Sequence, residues 1–193
     1  MDAHRGVGPG LPRQSMDVLP RWQGGSVMYL DLDGVLHPED VWRRPGTGPY
    51  VASPPGHVVL EHAALLERCL KPYPELRIVL STSWVLAFRS VRKVARRLPP
   101  ALRRRVIGAT FHGRMDPVWF RSIPRGVQVW SDVCRRQPEA WLALDDDDAG
   151  WPAVCRDHLV RTDSVLGISA PAVLMELQMR LAAMHSWDEG WPC

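Results

Sequence analysis

The sequence predicts an α/β fold in which helices cover both faces of a mainly parallel sheet. Three observations predict it. Short apolar runs alternate with amphipathic stretches along the chain, the pattern of strand–helix units in a parallel sheet. Three of those runs end in polar clusters, Asp31-Leu32-Asp33-Gly34, Ser81-Thr82-Ser83 and Asp145-Asp146, and such sheets bind ligands beyond the carboxyl ends of their strands. A length of 193 residues, 46% of them hydrophobic, suits one domain with one core.

The elements follow in order. Residues 1–26 are rich in Gly, Pro, Arg and Gln and read as a flexible leader. Val27 to Leu32 is an apolar run broken only by Asp31, a buried strand. Gly34 to Gly56 holds many Pro and Gly and reads as a loop or small hairpin. His57 to Leu70 has helical apolar spacing and stops at Pro72 and Pro74. Leu76 to Leu80 is a second strand. Phe88 to Leu98 reads as one amphipathic helix ended by Pro99 and Pro100. Val106 and Ile107 mark a third strand, Gly113 to Pro124 a loop, and Arg125 to Arg136 a helix. Trp141 to Leu144 is a fourth strand, and Leu159-Val160 a fifth. Ser169 is positioned to N-cap a last helix with Pro171 in its first turn. The domain is expected to span 27–184, with a loose tail over 185–193.

Composition excludes several classes. The net charge is +3, so the chain is not polycationic as a whole. Cys69, Cys134, Cys155 and Cys193 form no C-x-x-C pair, which argues against a zinc site and for reduced, mostly buried thiols. No apolar run approaches the ~20 residues of a membrane span, and the N-terminus lacks the apolar stretch of a signal peptide. A cytoplasmic protein with no membrane association and no obligate protein partner is expected.

The chemistry lies in the polar clusters. A spacing of two puts Asp31 and Asp33 on one side of an extended segment, and Gly34 lets the chain turn away. Two close carboxylates repel and need a cation or a shared proton. Oxygen-only ligands favour a hard ion such as Mg2+, which also binds substrate phosphate. Asp145 and Asp146 would add ligands from a neighbouring strand end, and Ser81 and Thr82 offer hydroxyls to a phosphate oxygen. Taken alone, D-x-D-G also fits a turn or a surface calcium loop. The pairing of acidic clusters with apolar runs, where a carboxylate is costly without a partner, favours a site.

Val27-Met28-Tyr29-Leu30-Asp31-Leu32-Asp33-Gly34-Val35-Leu36 resembles the first motif of the haloacid dehalogenase-like superfamily. Ile78-Val79-Leu80-Ser81 resembles its second, and Leu142-Ala143-Leu144-Asp145-Asp146 its fourth. The stretches DGVLHP, LSTSW and WLALDD are similar to the domain found in Swiss-army-knife RNA repair proteins. The resemblance implies a Rossmann-like three-layer sandwich with a minimal cap. It implies a magnesium-dependent phosphoester hydrolase acting through an aspartyl-phosphate: Asp31 is the nucleophile and Asp33 the general acid and base. The metal would sit on Asp31, the Asp33 backbone carbonyl and one of Asp145 and Asp146, with Ser81 on a phosphate oxygen. The family's third-motif Lys is missing; Lys93 comes too early, and Arg125 is better placed to bind phosphate. Where the subgroup carries an Arg after Ser-x-Ser-Trp this chain has Val85, with Arg89 a candidate substitute. The implied substrate is a phosphorylated molecule, a nucleic-acid end or a nucleotide. A non-catalytic binding module keeping the fold is the alternative.

Three further features read as ordinary structure. His37 follows the first motif and reads as an exposed loop residue. Trp84 reads as core packing rather than a base-stacking ring. The basic positions Arg89, Arg92, Lys93, Arg96 and Arg97 read as the wet face of a helix, and Arg103 to Arg105 follow them.

Overall fold

A computed structural model describes residues 19–44 and 46–185. Five parallel strands form one sheet in the order β5-β4-β1-β6-β7: β1 Ser26–Leu30, β4 Arg77–Leu80, β5 Val106–Ala109, β6 Ala140–Asp145 and β7 Leu159–Arg161. Side chains alternate across it. Met28, Leu30, Ile78, Leu80, Leu142 and Leu144 face one core, completed by α1 Ala63–Leu70 and α7 Pro171–His185 among others. Val27, Tyr29, Val79, Trp141 and Ala143 face a second core, against Val129 and Val133 of α6 Arg125–Arg136. The three-layer expectation holds, and the reason is the pleat: apolar residues on both faces of the strands require cover on both sides. The segment after β1 is a hairpin of β2 Asp40–Arg44 and β3 Gly48–Ser53, paired antiparallel and separate from the main sheet. No helix among the described residues is long and apolar enough to cross a membrane.

Several local expectations are corrected. The first helix starts only at Ala63, because Glu61 accepts hydrogen bonds from His57 Nδ1 (2.6 Å) and the Val58 amide (3.3 Å) and folds the preceding residues into turns. The single helix expected over 88–98 is two: α2 Trp84–Phe88 ends where Arg89 turns left-handed, and Ser90 caps α3 Val91–Ala95 by accepting from the Lys93 amide at 3.2 Å. Pro99 and Pro100 do not simply stop a helix; Pro100 starts α4 Pro100–Arg105 as an N-terminal proline. The loop expected over 113–124 holds α5 Pro117–Ser122, capped by the Asp116 carboxylate on the Trp119 amide at 2.7 Å. Ser169 does not cap α7; its hydroxyl donates to the Leu166 carbonyl at 2.6 Å.

Of the expected leader, residues 1–18 lie outside the described residues, as does the tail beyond His185. The described part is tied to the domain: Gln23 Nε2 donates to the Arg135 carbonyl, the Gly24 amide to the Arg136 carbonyl, and Arg136 Nη1 to the Trp22 carbonyl. Cys69, Cys134 and Cys155 are free thiols, as expected.

Candidate active site

The strand register brings the polar clusters together. Leu30 of β1 pairs with Leu80 of β4 and Leu144 of β6. One step further, the Ser81 amide donates to the Leu30 carbonyl at 2.8 Å and the Asp31 amide to the Leu144 carbonyl at 3.1 Å. Asp31, Ser81 and Asp145 therefore leave adjacent strands at the same height on the carboxyl rim, and all three are buried. Gly34 turns the chain at φ 66°; a Cβ there would lie 2.3 Å from Cγ of Asp146, so the turn brings backbone against that carboxylate.

Asp31, Asp145 and Asp146 each offer a carboxylate oxygen within 4.8 Å of the others. Arg125, first residue of α6, reaches into this group. Its Nη2 donates to Asp31 Oδ2 at 3.0 Å, its Nη1 donates to the Ser81 carbonyl, and its Nε lies 3.3 Å from Asp145 Oδ2. That last contact is Coulombic rather than a hydrogen bond: both atoms lack a hydrogen-bond partner among the described residues. Asp31 Oδ1 accepts from the Leu32 amide at 2.7 Å, and the Thr82 hydroxyl beside this carboxylate opposes the rise in pKa that burial causes. Asp145 Oδ1 accepts from the Asp147 amide at 3.2 Å.

Three carboxylates around one guanidinium are under-neutralised. Burial raises Asp31, with Arg125 opposing and Asp33 adding to the rise. Burial and then Asp31 hold Asp145 well above the usual carboxylate range. Burial, then Asp31, pushes Asp146 up to about 6. Burial alone would lower Arg125, but Asp31 and Asp145 outweigh it and hold the guanidinium charged. The buried Ser81 hydroxyl has no partner among the described residues. An orphaned carboxylate oxygen and an orphaned hydroxyl at one rim fit a hard cation and a phosphate oxygen respectively.

Asp33 stands apart from that group. Its carboxylate accepts from Trp84 Nε1, 2.9 Å from each oxygen, and Oδ1 lies 3.1 Å from His37 Nε2. His37 is not the exposed loop residue expected: the turn at Gly34 carries the chain back, bridges Asp33 to His37, and buries the imidazole completely. Trp84 is buried as expected, and it also holds the Asp33 carboxylate. A donor-bearing ring directly after a strand-end hydroxyl cluster was the available signal for that role.

Arg89 is exposed and has no contact with these carboxylates among the described residues; Arg125 occupies the place beside Asp31. Arg92, Lys93, Arg96 and Arg97 are exposed, the wet face expected, though on a shorter helix and the turn after it. Arg105 serves the fold instead. It donates to the carbonyls of Leu70, Tyr73 and Leu76, closing the carboxyl end of α1. Asp147 accepts from the Ala149 amide at 2.8 Å, and Asp148 pairs with Arg161 at the surface.

A profile of the family described as the HAD domain in Swiss Army Knife RNA repair proteins matches residues 27–173. The chain belongs to that family. The match runs from the second residue of β1 into α7, so it includes every strand of the sheet and the whole carboxylate rim. Membership makes this HAD domain a hydrolase of the haloacid dehalogenase type in the general sense. No curated protein and no solved structure matches the chain.

Proposed function

We propose that this HAD domain is a magnesium-dependent phosphomonoesterase working through an aspartyl-phosphate on Asp31. The observation that carries the reading is Asp31 itself: a buried carboxylate at the end of the central strand, oriented by the Leu32 amide and Arg125 and flanked by an unpartnered serine hydroxyl.

Asp31, Asp145 and Asp146, with the Asp33 backbone carbonyl, would hold the ion. When bound it would polarise the phosphoryl group and neutralise its oxygens. The Asp33 carboxylate, kept on Trp84 and His37, is then free of the ion and available for proton transfer. An Asp31 oxygen attacks phosphorus, the bond to the leaving oxygen breaks, and Asp33 gives that oxygen a proton. Asp33 next takes a proton from a water attacking the same phosphorus. The bond to Asp31 breaks, releasing phosphate and restoring the carboxylate. Ser81, Thr82 and Arg125 supply donors for the transferring oxygens. Arg125 bonds Asp31 while facing Asp145, which is the position a third-motif cation needs.

Between β1 and β4 the described residues hold the β2–β3 hairpin and α1 but no cap domain, and we read the site as open to large substrates. That favours a phosphate carried on a bulky molecule such as a nucleic-acid end, in the cytoplasm, over a small nucleotide. The test is hydrolysis of an aryl phosphate with magnesium and with chelator. Turnover that needs the metal is expected; turnover indifferent to chelator would reject the metal-bound site, and none under any divalent cation would reject the enzyme in favour of a binding module.

A further inference from the structure

The hairpin that follows the first motif carries an outer face that folding does not explain. Strand alternation puts Val41 and Arg43 toward the domain, where Val41 packs on the core and Arg43 lies 5.5 Å over the Phe88 ring. Trp42 and Arg44 point the other way. Trp42 is directly opposite Tyr50 in the register, and the Arg44 guanidinium lies 4.6 Å over the Tyr50 ring. Trp42 is 62% exposed, with only its Nε1 engaged, on Asp40 at 2.7 Å. An exposed Trp loses the transfer free energy that burial would provide, and nothing among the described residues covers it. Arg97 adds a third cation, 4.5 Å over the Phe88 ring at the base of the hairpin.

This face is joined to the site by contacts. Phe88 meets Trp84 at 5.9 Å between centroids, and Trp84 holds Asp33. At the other root of the hairpin the Glu39 amide donates to the Ser164 carbonyl at 2.8 Å, and the Glu39 charge raises Asp146. The hairpin therefore stands beside the carboxylate rim, and the charge changes sign from the carboxylates of the rim to the exposed Arg43 and Arg44 of the hairpin.

We infer that Trp42, Tyr50 and Arg44, with Arg43 and Arg97 at their base, form the track for a single nucleic-acid strand whose phosphorylated end reaches Asp31. The inference rests on the phosphatase reading only for which end of the strand meets the rim. A cross-strand ring pair gives unpaired bases a stacking face, and the guanidiniums at its margin meet the backbone phosphates. Base stacking and phosphate neutralisation leave different signatures, and a phosphopeptide of equal charge supplies only the second.

The experiment is fluorescence anisotropy of the full chain with a labelled single strand of about ten nucleotides, carrying no terminal phosphate, in chelator. Three phosphate contacts predict a log–log salt slope of about −2, at about −0.7 each. Trp42→Ala should weaken binding about tenfold and leave the slope unchanged. Replacing Arg43, Arg44 and Arg97 together by Gln should flatten the slope. Trp42→Phe should restore most of the affinity and Trp42→Leu should not, which separates stacking from loss of the hairpin; melting curves confirm that each variant folds. No binding at low salt, affinity undiminished in Trp42→Ala and Trp42→Leu, or equally tight binding of the phosphopeptide would each overturn the track. The probe has no phosphomonoester, so the result is independent of turnover: a protein that binds through Trp42 but hydrolyses nothing would sink the phosphatase reading alone.

Discussion

At the carboxyl rim Asp31 and Asp145 share the Arg125 guanidinium with Asp146 clustered beside them, whereas on α6 Asp132 alone is gripped by Arg135, Arg136 and the Tyr29 hydroxyl. Both groups are buried. In the second, Asp132 Oδ2 accepts from Arg136 Nε at 2.8 Å and from Tyr29 at 3.1 Å, and Oδ1 accepts from Arg135 Nη2 and from Arg136 Nη2 at 3.3 Å. Burial, with Asp132 next to it, keeps the Tyr29 hydroxyl protonated. The Asp132 carboxylate is closed: both oxygens are bonded and its charge is covered. The rim is open, with excess negative charge and with Asp145 Oδ2 and the Ser81 hydroxyl lacking hydrogen-bond partners among the described residues. The domain thus carries one buried carboxylate whose bonding is complete and one cluster of carboxylates left unfinished, as a site that must receive a cation and a phosphate has to be.

Removing one carboxylate from each cluster should separate the two most visibly. Asp31→Asn should cut aryl phosphate turnover on the order of 10^4-fold or more, as losing a nucleophile does. It should not lower the melting temperature, because it takes a negative charge out of a crowded group. Asp132→Ala should do the reverse in stability, costing about 3–5 kcal/mol because two guanidiniums are left buried without their carboxylate, read from urea unfolding. If Asp31→Asn destabilised as much as Asp132→Ala, the rim would be a structural network too.

The Trp84 clamp sharpens what the open cluster is for. Trp84→Phe keeps an aromatic ring, though a smaller one, and removes the hydrogen bonds to Asp33. A general acid matters when the leaving group is poor. The kcat/KM for an alkyl phosphate, which reports transfer to Asp31 and not the later attack of water, should therefore fall about tenfold to a hundredfold, while kcat/KM for an aryl phosphate with an acidic phenol changes little. An equal loss on both would mean that Trp84 only packs.

Much of this was legible in the chain. Strand ends were marked by acidic or hydroxyl residues straight after apolar runs, and parallel register did the rest, so Asp31, Ser81 and Asp145 fell together from a one-dimensional pattern. Arg125 was suggested only by the resemblance, as a stand-in for the family's third-motif Lys, and the structure puts its guanidinium beside Asp31. The missing parts depended on tertiary packing. His37 looked exposed because a loop His usually is, and only the return of the chain after Gly34 buries it. The break at Arg89 hinged on a left-handed residue that carries no Gly to announce it. Asp132 with Arg135 and Arg136 shows ordinary i,i+3 and i,i+4 spacing, which on most helices marks a wet face; its burial follows from Tyr29 on the sheet beneath.

The smallest expected effect lies in how the closed cluster is closed. Arg136 spends Nη1 on the Trp22 carbonyl at 2.9 Å, and the Gly24 amide returns a bond to the Arg136 carbonyl at 3.1 Å. Arg77 lies 5.7 Å over the Trp22 ring from the sheet side. Residues 22–24, expected to belong to a flexible leader, thus add hydrogen bonds to Arg136 at the end of α6. A chain beginning at Leu19 and one beginning at Gly25 differ in residues 19–24, and both keep the Gly25 carbonyl that accepts from the Glu139 and Ala140 amides. The shorter should be less stable by about 1.5–3 kcal/mol, the usual cost of a lost hydrogen bond to a charged group, and should melt several degrees lower. Its turnover at saturating aryl phosphate should match the longer chain's, because Asp31, Asp33 and Arg125 keep every contact described for them. Equal melting temperatures would show that water replaces the Trp22 carbonyl without cost, and that Asp132 alone closes the cluster.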